Sequence, residues 1–311
     1  MKTKLTRSPK VAAQILLKGG IVAFPTETVY GLGASLFDEA QVQKIFLVKG
    51  RPSDNPLIAH VSNFHELELL VRSIPPHAEQ LIEAFFPGAL TIVLPKSKYV
   101  PAIVTANLET IAIRMPSLNL TQTFLKECGT PVAAPSANLS GKPSSTSWKA
   151  VREDFDGKIE CILKGDESEF GLESTVVDCS VSPPVVLRTG AISLEELQRV
   201  VPETQLSTSP AQHAPKSPGM KYRHYAPEAE VKILEDFSDV DYKSAYIGIS
   251  NPPKPFAHQK VCCSLSDYAR SLYAFFRECD AHQFKRIYCE RVPERGLGLA
   301  LMDRIRKAAE K

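Results

Sequence analysis

Two cations stand two residues apart in KGRPSDNPL (residues 49–57), where Lys49 and Arg51 share a stretch stiffened by Pro52 and Pro56. A stiff loop can hold positive charge against phosphate oxygens with little entropy to lose, and Arg adds a planar fork that grips two oxygens at once. Taken alone, the triplet also fits a solvated basic turn. A second cluster, PSANLSGKPS (residues 135–144), is dense in hydroxyl and amide side chains. With exposed backbone N–H groups these make an anion-binding concavity, and equally an ordinary turn. Arg114 and Arg188 each follow an apolar strand-like run, a position suited to bidentate recognition of carboxylate or phosphate, or to a surface ion pair. Glu173, Ser174 and Thr175 place polar groups at the start of another strand-like run. His60 lies inside an apolar run, where a satisfied core histidine is the default. The segment SPGMKYRHYAP (residues 217–227) sets two tyrosines, a histidine and two cations between prolines, a composition that favours folding over a site above a bare spacer.

Several chemistries are excluded. No G-x-x-x-x-G-K-[ST], H-E-x-x-H, G-x-S-x-G or kinase signature occurs, so nucleotide use cannot be argued from a P-loop. Lys plus Arg (37) nearly balance Asp plus Glu (35), a formal charge of +2, so any nucleic-acid contact must be local. The seven cysteines (128, 161, 179, 262, 263, 279, 289) are odd in number and form no C-x-x-C pair, which predicts reduced, packed thiols rather than a disulfide framework or zinc site. No apolar run approaches the roughly 18 residues of a membrane span. Residues 1–10 carry basic residues without a signal-type core, and the reading is a cytoplasmic protein with no membrane contact.

The elements that must position these residues follow from apolar periodicity. Residues 11–17, 39–48 and 78–86 have helical spacing; 21–24, 57–61, 91–94, 110–113, 132–134, 159–163, 174–177 and 185–187 read as strands, and 26–33 as a loop at a strand end. Interleaved strands and helices predict an α/β layer architecture. Residues 202–218, rich in Ser, Thr, Pro and Gln, have the composition of a linker. Beyond it, strands at 231–234, 245–249, 261–263 and 286–289 with helices at 266–278 and 297–309 predict a small Rossmann-like α/β domain, without a phosphate fingerprint at Gly296 and Gly298. The organisation expected is a catalytic domain over 1–205, a linker or lid over 206–228, and a small domain over 229–311.

Eight segments in order resemble the YrdC/YciO-like family in its long form, the threonylcarbamoyl-AMP synthases with an added C-terminal domain. They are PTETVYGLG (25–33), KGRPSDNPLIAH (49–60), FFPGALT (85–91), IRMP (113–116), PSANLSG (135–141), ESTVVD (173–178), LRTG (187–190) and SPGMKYRHYAP (217–227). The resemblance implies a YrdC-like twisted mixed sheet with flanking helices. It also implies that Lys49, Arg51, Asn55, Thr110, Ser136, Ser144, Arg188 and Tyr225 hold ATP or its phosphates, with Lys49 and Arg51 the catalytic pair. Thr28, His60, Arg114, Ala134 and Ser174 would hold L-threonine. The chain departs from the family at Phe86 (often Trp), Ala89 and Thr189 (often Pro) and Val48 (often Ala), none of which removes a charged or hydrogen-bonding group.

The activity so implied joins bicarbonate and L-threonine into N-carboxy-threonine, whose carboxylate attacks the α-phosphorus of ATP and expels pyrophosphate. The product would serve a tRNA-modifying threonylcarbamoyl transferase. Such a reaction needs positioning and charge neutralisation rather than a protein nucleophile, which suits Lys, Arg, Ser and Asn. Mg²⁺ is expected on the phosphates without a protein cage. Two rivals remain at this stage: an RNA-binding module in which Lys49, Arg51, Arg114 and Arg188 grip backbone phosphates, and a carbamoyl-transfer domain, against which the missing partner domains and zinc-finger cysteines weigh.

Overall fold

The computed structural model describes residues 2–207 and 225–310. The first sheet is built from β1 (Lys4–Thr6), β2 (Val22–Phe24), β3 (Gly31–Ser35), β4 (Ile58–His60), β5 (Leu90–Pro95), β6 (Thr110–Arg114), β7 (Val132–Ala134), β8 (Cys161–Leu163), β9 (Thr175–Asp178), β10 (Val185–Arg188) and β11 (Gln205–Leu206). Between them run α1 (Pro9–Leu17), α2 (Glu39–Lys49), α3 (Phe64–Leu70), α4 (Pro76–Phe85), α5 (Ala102–Thr105), α6 (Asn119–Cys128), α7 (Trp148–Phe155) and α8 (Leu194–Val200). The strands form one mixed sheet in the order β1-β8-β2-β3-β7-β4-β6-β5-β9-β10-β11. Their near-continuous apolar runs are explained by burial on both faces.

Local chemistry sets the ends of these elements. Asp38 caps α2 by accepting from the Gln41 N–H, and Gly50 closes that helix at φ 62°, a left-handed turn that Gly adopts without steric cost. The turn leaves Lys49 in the last helical position and delivers Arg51 to the following loop. The β4–β6 register pairs His60 with Arg114, so two polar residues meet at the ends of adjacent parallel strands.

The second sheet contains β12 (Glu230–Leu234), β13 (Ala245–Gly248), β14 (His258–Val261) and β15 (Arg286–Glu290), all parallel in the order β12-β15-β13-β14, with α9 (Leu265–Ala281) and α10 (Leu297–Ala309). This is the small Rossmann-like unit. Its core joins Ile247, Phe276, Ile287 and Leu301, and the same apolar cluster takes in Val29 and Leu172 from the first sheet's loops. No helix among the described residues is long and apolar enough to cross a membrane.

Three expectations need correction. The loop expected over 26–33 is strand from Gly31 onward, because β3 packs flat on Phe24: a Cβ at Gly31 would lie 2.7 Å from that ring. These glycines answer to a close approach rather than to a turn. Within the expected linker, Gln205 and Leu206 pair with β10 as β11. The strand expected at 261–263 runs instead from His258 to Val261, an edge strand whose exposed polar residues carry no apolar signal; Cys262 and Cys263 lie beyond its end. The cysteines of the described residues are free thiols, all buried except Cys263.

Candidate active site

A cleft opens along the first sheet, lined by residues from its strand ends and loops. One of its walls is the β2–β3 connection. There Thr26 Oγ1 donates to the Val29 carbonyl (2.6 Å) and accepts from the Thr28 N–H (3.1 Å), so a single hydroxyl stiffens the turn. At the end of β6, Arg114 donates to Thr28 Oγ1 (2.6 Å), Glu27 Oε1 (2.6 Å) and the Gly88 carbonyl (3.2 Å). Arg114 and Glu27 are both buried, and three of the guanidinium's five N–H groups are engaged, so two remain to offer a ligand. Beside it, burial and the neighbouring Arg114 charge push the His60 imidazole down to about 3. His60 is therefore neutral, and its Nδ1 donates to the Ile58 carbonyl (3.2 Å).

A second wall comes from the loops before β9 and after β10. Thr91 Oγ1 and Ser174 Oγ lie 2.7 Å apart, and Arg188 donates to the Ser174 carbonyl and hydroxyl. Glu173 accepts from Ser144 Oγ at 2.7 Å. Burial alone would raise this carboxyl, but Arg304 and Arg188 hold it down to about 2, so it is a carboxylate.

The serine-rich loop after β7 completes the cleft. Ser136 Oγ donates to Asn138 Oδ1 (2.6 Å), and Asn138 Nδ2 donates to the carbonyls of Leu139 and Lys142. The Lys49 ammonium donates to the carbonyls of Ser136 and Asn138 from beneath. Burial, and then the Arg51 charge, push its titration well below the ordinary lysine range.

Thr28, Arg51, His60, Arg114, Ala134, Ser136, Ser144, Ser174, Arg188 and Tyr225 all line this one cleft. Lys49, Asn55 and Thr110 do not. Lys49 is taken up by the serine loop's carbonyls, Thr110 opens β6 opposite Pro95, and Asn55 is fully buried with neither amide atom hydrogen-bonded. Tyr225 lies within the expected lid (206–228), of which residues 208–224 lie outside the described residues. Glu27, Asn138 and Lys142 were not singled out from the sequence as ligand contacts. Glu27 sits inside PTETVYGLG, and a carboxylate between two threonines next to a strand end was the available signal.

The chain matches two family models, one described as "Telomere recombination" (the Sua5/YciO/YrdC model) over residues 14–190 and one described as "Threonylcarbamoyl-AMP synthase, C-terminal domain" over residues 192–310. It is 44% identical to the threonylcarbamoyl-AMP synthase of Pyrococcus abyssi over 96% of this chain and 93% of that one. The Bacillus subtilis protein of the same name is 41% identical over 98% and 94%. A crystal structure described as P. abyssi Sua5 complexed with L-threonine superposes with a TM-score of 0.91 at 42% identity, covering 99% of this chain and 97% of that one. With both domains matched in order and full-length relatives carrying one name, the chain belongs to the threonylcarbamoyl-AMP synthase family.

Proposed function

We propose that this protein is an L-threonylcarbamoyladenylate synthase. It would join L-threonine, bicarbonate and ATP into threonylcarbamoyl-AMP and pyrophosphate, for N6-threonylcarbamoyladenosine modification of tRNA next to the anticodon. The observation that carries this reading is the meeting, on one cleft, of a buried carboxylate fork at Arg114 with the donors Arg51, Ser136, Ser144 and Arg188. Full-length relatives named as the synthase favour it over the RNA-binding and carbamoyl-transfer rivals.

In this reading the two uncommitted Arg114 N–H groups take the threonine carboxylate. Thr28, Ser174 and the neutral His60 ring face the rest of the amino acid, with Ala134 as floor. Carbamate formation from the threonine amine and bicarbonate releases water. The carbamate oxygen then bonds to the α-phosphorus as the bond to the β-phosphate oxygen breaks, and pyrophosphate leaves. Arg51 and Arg188 offset the charge on the phosphates, and Ser136, Ser144 and Tyr225 orient the nucleotide. Lys49 contributes by holding the serine loop in shape, while Asn55 and Thr110 support the nucleotide from outside the cleft lining. Mg²⁺ would arrive on the ATP phosphates and supply further charge neutralisation; of the carboxylates at the cleft among the described residues, Glu173 is already engaged by Ser144, Tyr273 and Arg304 and Glu27 by Arg114, so the fit is to an ion carried by the nucleotide. The labile product would pass to a threonylcarbamoyl transferase acting on tRNA in the cytoplasm.

The test is pyrophosphate release with each substrate omitted in turn. Release that requires both L-threonine and bicarbonate supports the reading. Salt-sensitive RNA binding without such release would replace it with the RNA-binding alternative.

A further inference from the structure

The two helices of the C-terminal domain send polar side chains into the first domain, and those side chains converge on one stretch of chain. Arg304, on α10, is fully buried and donates to Glu173 Oε2 (2.8 Å) and to the Thr189 carbonyl (2.8 Å). Tyr273, on α9, donates to Glu173 Oε2 (3.1 Å) and stacks on Tyr225 with ring centroids 5.6 Å apart, while the Arg304 guanidinium lies 5.1 Å from the Tyr225 centroid. Glu173 in turn accepts from Ser144. One turn further along α9, Arg277 donates to the Pro143 carbonyl (2.7 Å), to Ser145 Oγ (3.2 Å) and to Asp154 Oδ2 (2.8 Å), and that carboxylate accepts from the Leu139 N–H.

Within residues 139–145, Arg277 therefore holds Pro143 and Ser145 directly, and Leu139 and Ser144 are reached through Asp154 and Glu173, by a domain that contributes no residue from 229 onward to the cleft wall among the described residues. The docking is close as well as polar: a Cβ at Gly171 would fall 2.4 Å from the Arg270 Cα. Among the described residues, no hydrogen bond or ion pair links α9 or α10 to Thr28, His60 or Arg114. Buried charges are costly unless paired, so an Arg–Glu–Tyr cluster of this kind specifies one arrangement of the groups around it.

We infer that Arg304, Tyr273 and Arg277 are positioning residues, through which the C-terminal domain sets the serine loop and Tyr225 for the nucleotide while leaving the Arg114 pocket to the first domain. The inference rests on the synthase reading for the identity of the ligands. It assigns the second domain a role in ATP geometry rather than in amino-acid selection.

The test measures pyrophosphate release by full-length variants, with KM for ATP and KM for L-threonine determined separately, and folding checked by thermal melting. Arg304→Ala and Arg277→Ala are expected to raise KM for ATP or lower ATP-saturated turnover by about 10- to 100-fold, since misplacement of about 1 Å costs that much. KM for L-threonine should stay within about threefold, a shift worth well under the 1.4 kcal/mol of a tenfold change. Tyr273→Phe keeps the stacking and the ion pair and loses one hydroxyl, so it stays folded and shows the same selectivity at smaller size. Arg304→Lys should recover part of the loss, since an ammonium still pairs with Glu173 but cannot fork to the Thr189 carbonyl. Arg291→Ala, which breaks an exposed ion pair to Glu235 in the same domain, should match the wild type. Equal shifts in both KM values, or unchanged ATP parameters in folded Tyr273→Phe and Arg277→Ala, overturn the positioning role. A wild-type protein that releases no pyrophosphate overturns the synthase reading instead.

Discussion

At the scale of single residues, the cleft runs on buried groups whose charge state is set by their neighbours. Arg51 faces the cleft, with Nη2 donating to the carbonyls of Asn55 and Pro56, so its charge is held in place before any ligand arrives. Arg51→Ala should leave melting within a few degrees of wild type and lower synthesis by about 100-fold or more, on the scale of losing one preorganised charge donor. Near-normal turnover would remove Arg51 from the chemistry. Around Arg114 the hydroxyls of Thr28, Thr91 and Ser174 lie within hydrogen-bond reach of one another or of an arginine. A site built on such groups rejects an analogue that leaves them unpaired, so valine should be used at least about 100-fold less efficiently than threonine in kcat/KM. Comparable rates would refute the threonine assignment.

His60 supplies a stability signature of the same pocket. It is neutral in the folded chain down to about pH 3, whereas in the unfolded chain it takes a proton near pH 6.5. Between those values the unfolded state binds more protons, so the His60 contribution is whole above about pH 6.5 and shrinks as pH falls toward 3. Urea unfolding at about pH 7 and about pH 5 should show wild type losing about 2 kcal/mol more than His60→Gln over that interval. Parallel losses would mean that His60 is hydrated enough to protonate in place.

At the scale of elements, β2, β3 and the turn between them form the platform on which the Arg114 pocket stands. Gly31 and Gly33 admit the Phe24 ring flat against β3, with notional Cβ contacts of 2.7 and 2.9 Å. Gly31→Ala should destabilise the chain by about 1 to 3 kcal/mol, the usual cost of overpacking a filled core. Equilibrium urea unfolding measures it, and an unchanged midpoint would show that Phe24 can swing aside. The same element explains a mistaken loop: a G-x-G in PTETVYGLG looks like turn chemistry when read locally, and becomes strand only because an aromatic ring seven residues away occupies the space the side chains would take.

At the scale of the whole molecule, the two sheets share one apolar cluster, a buried ion pair, Arg304–Glu173, and a partly buried one, Arg277–Asp154. Breaking a buried pair by removing one partner leaves an uncompensated charge, typically costing about 3 to 5 kcal/mol. Calorimetry of the full chain should therefore give one cooperative transition, and the Arg304→Ala/Arg277→Ala double variant two, as the small domain melts away from the first. Two transitions already in the wild type would mean that the interface does not couple the domains. The residues that meet on the cleft were legible in sequence, because Arg51, Arg114, Arg188 and the serine loop each sit at the end of a strand or helix whose apolar period is local. The α/β layering and the parallel second sheet followed from the same periodicity. What only the tertiary structure decided is how those groups are held. Glu173 meets Tyr273 and Arg304 across 100 and 131 residues of chain, Lys49 turns to carbonyls 87 and 89 residues away, and His60 is neutral because it is buried, with the Arg114 charge beside it. Type and spacing along the chain record short-range geometry, whereas partner choice, burial and protonation depend on which distant segments exclude water together.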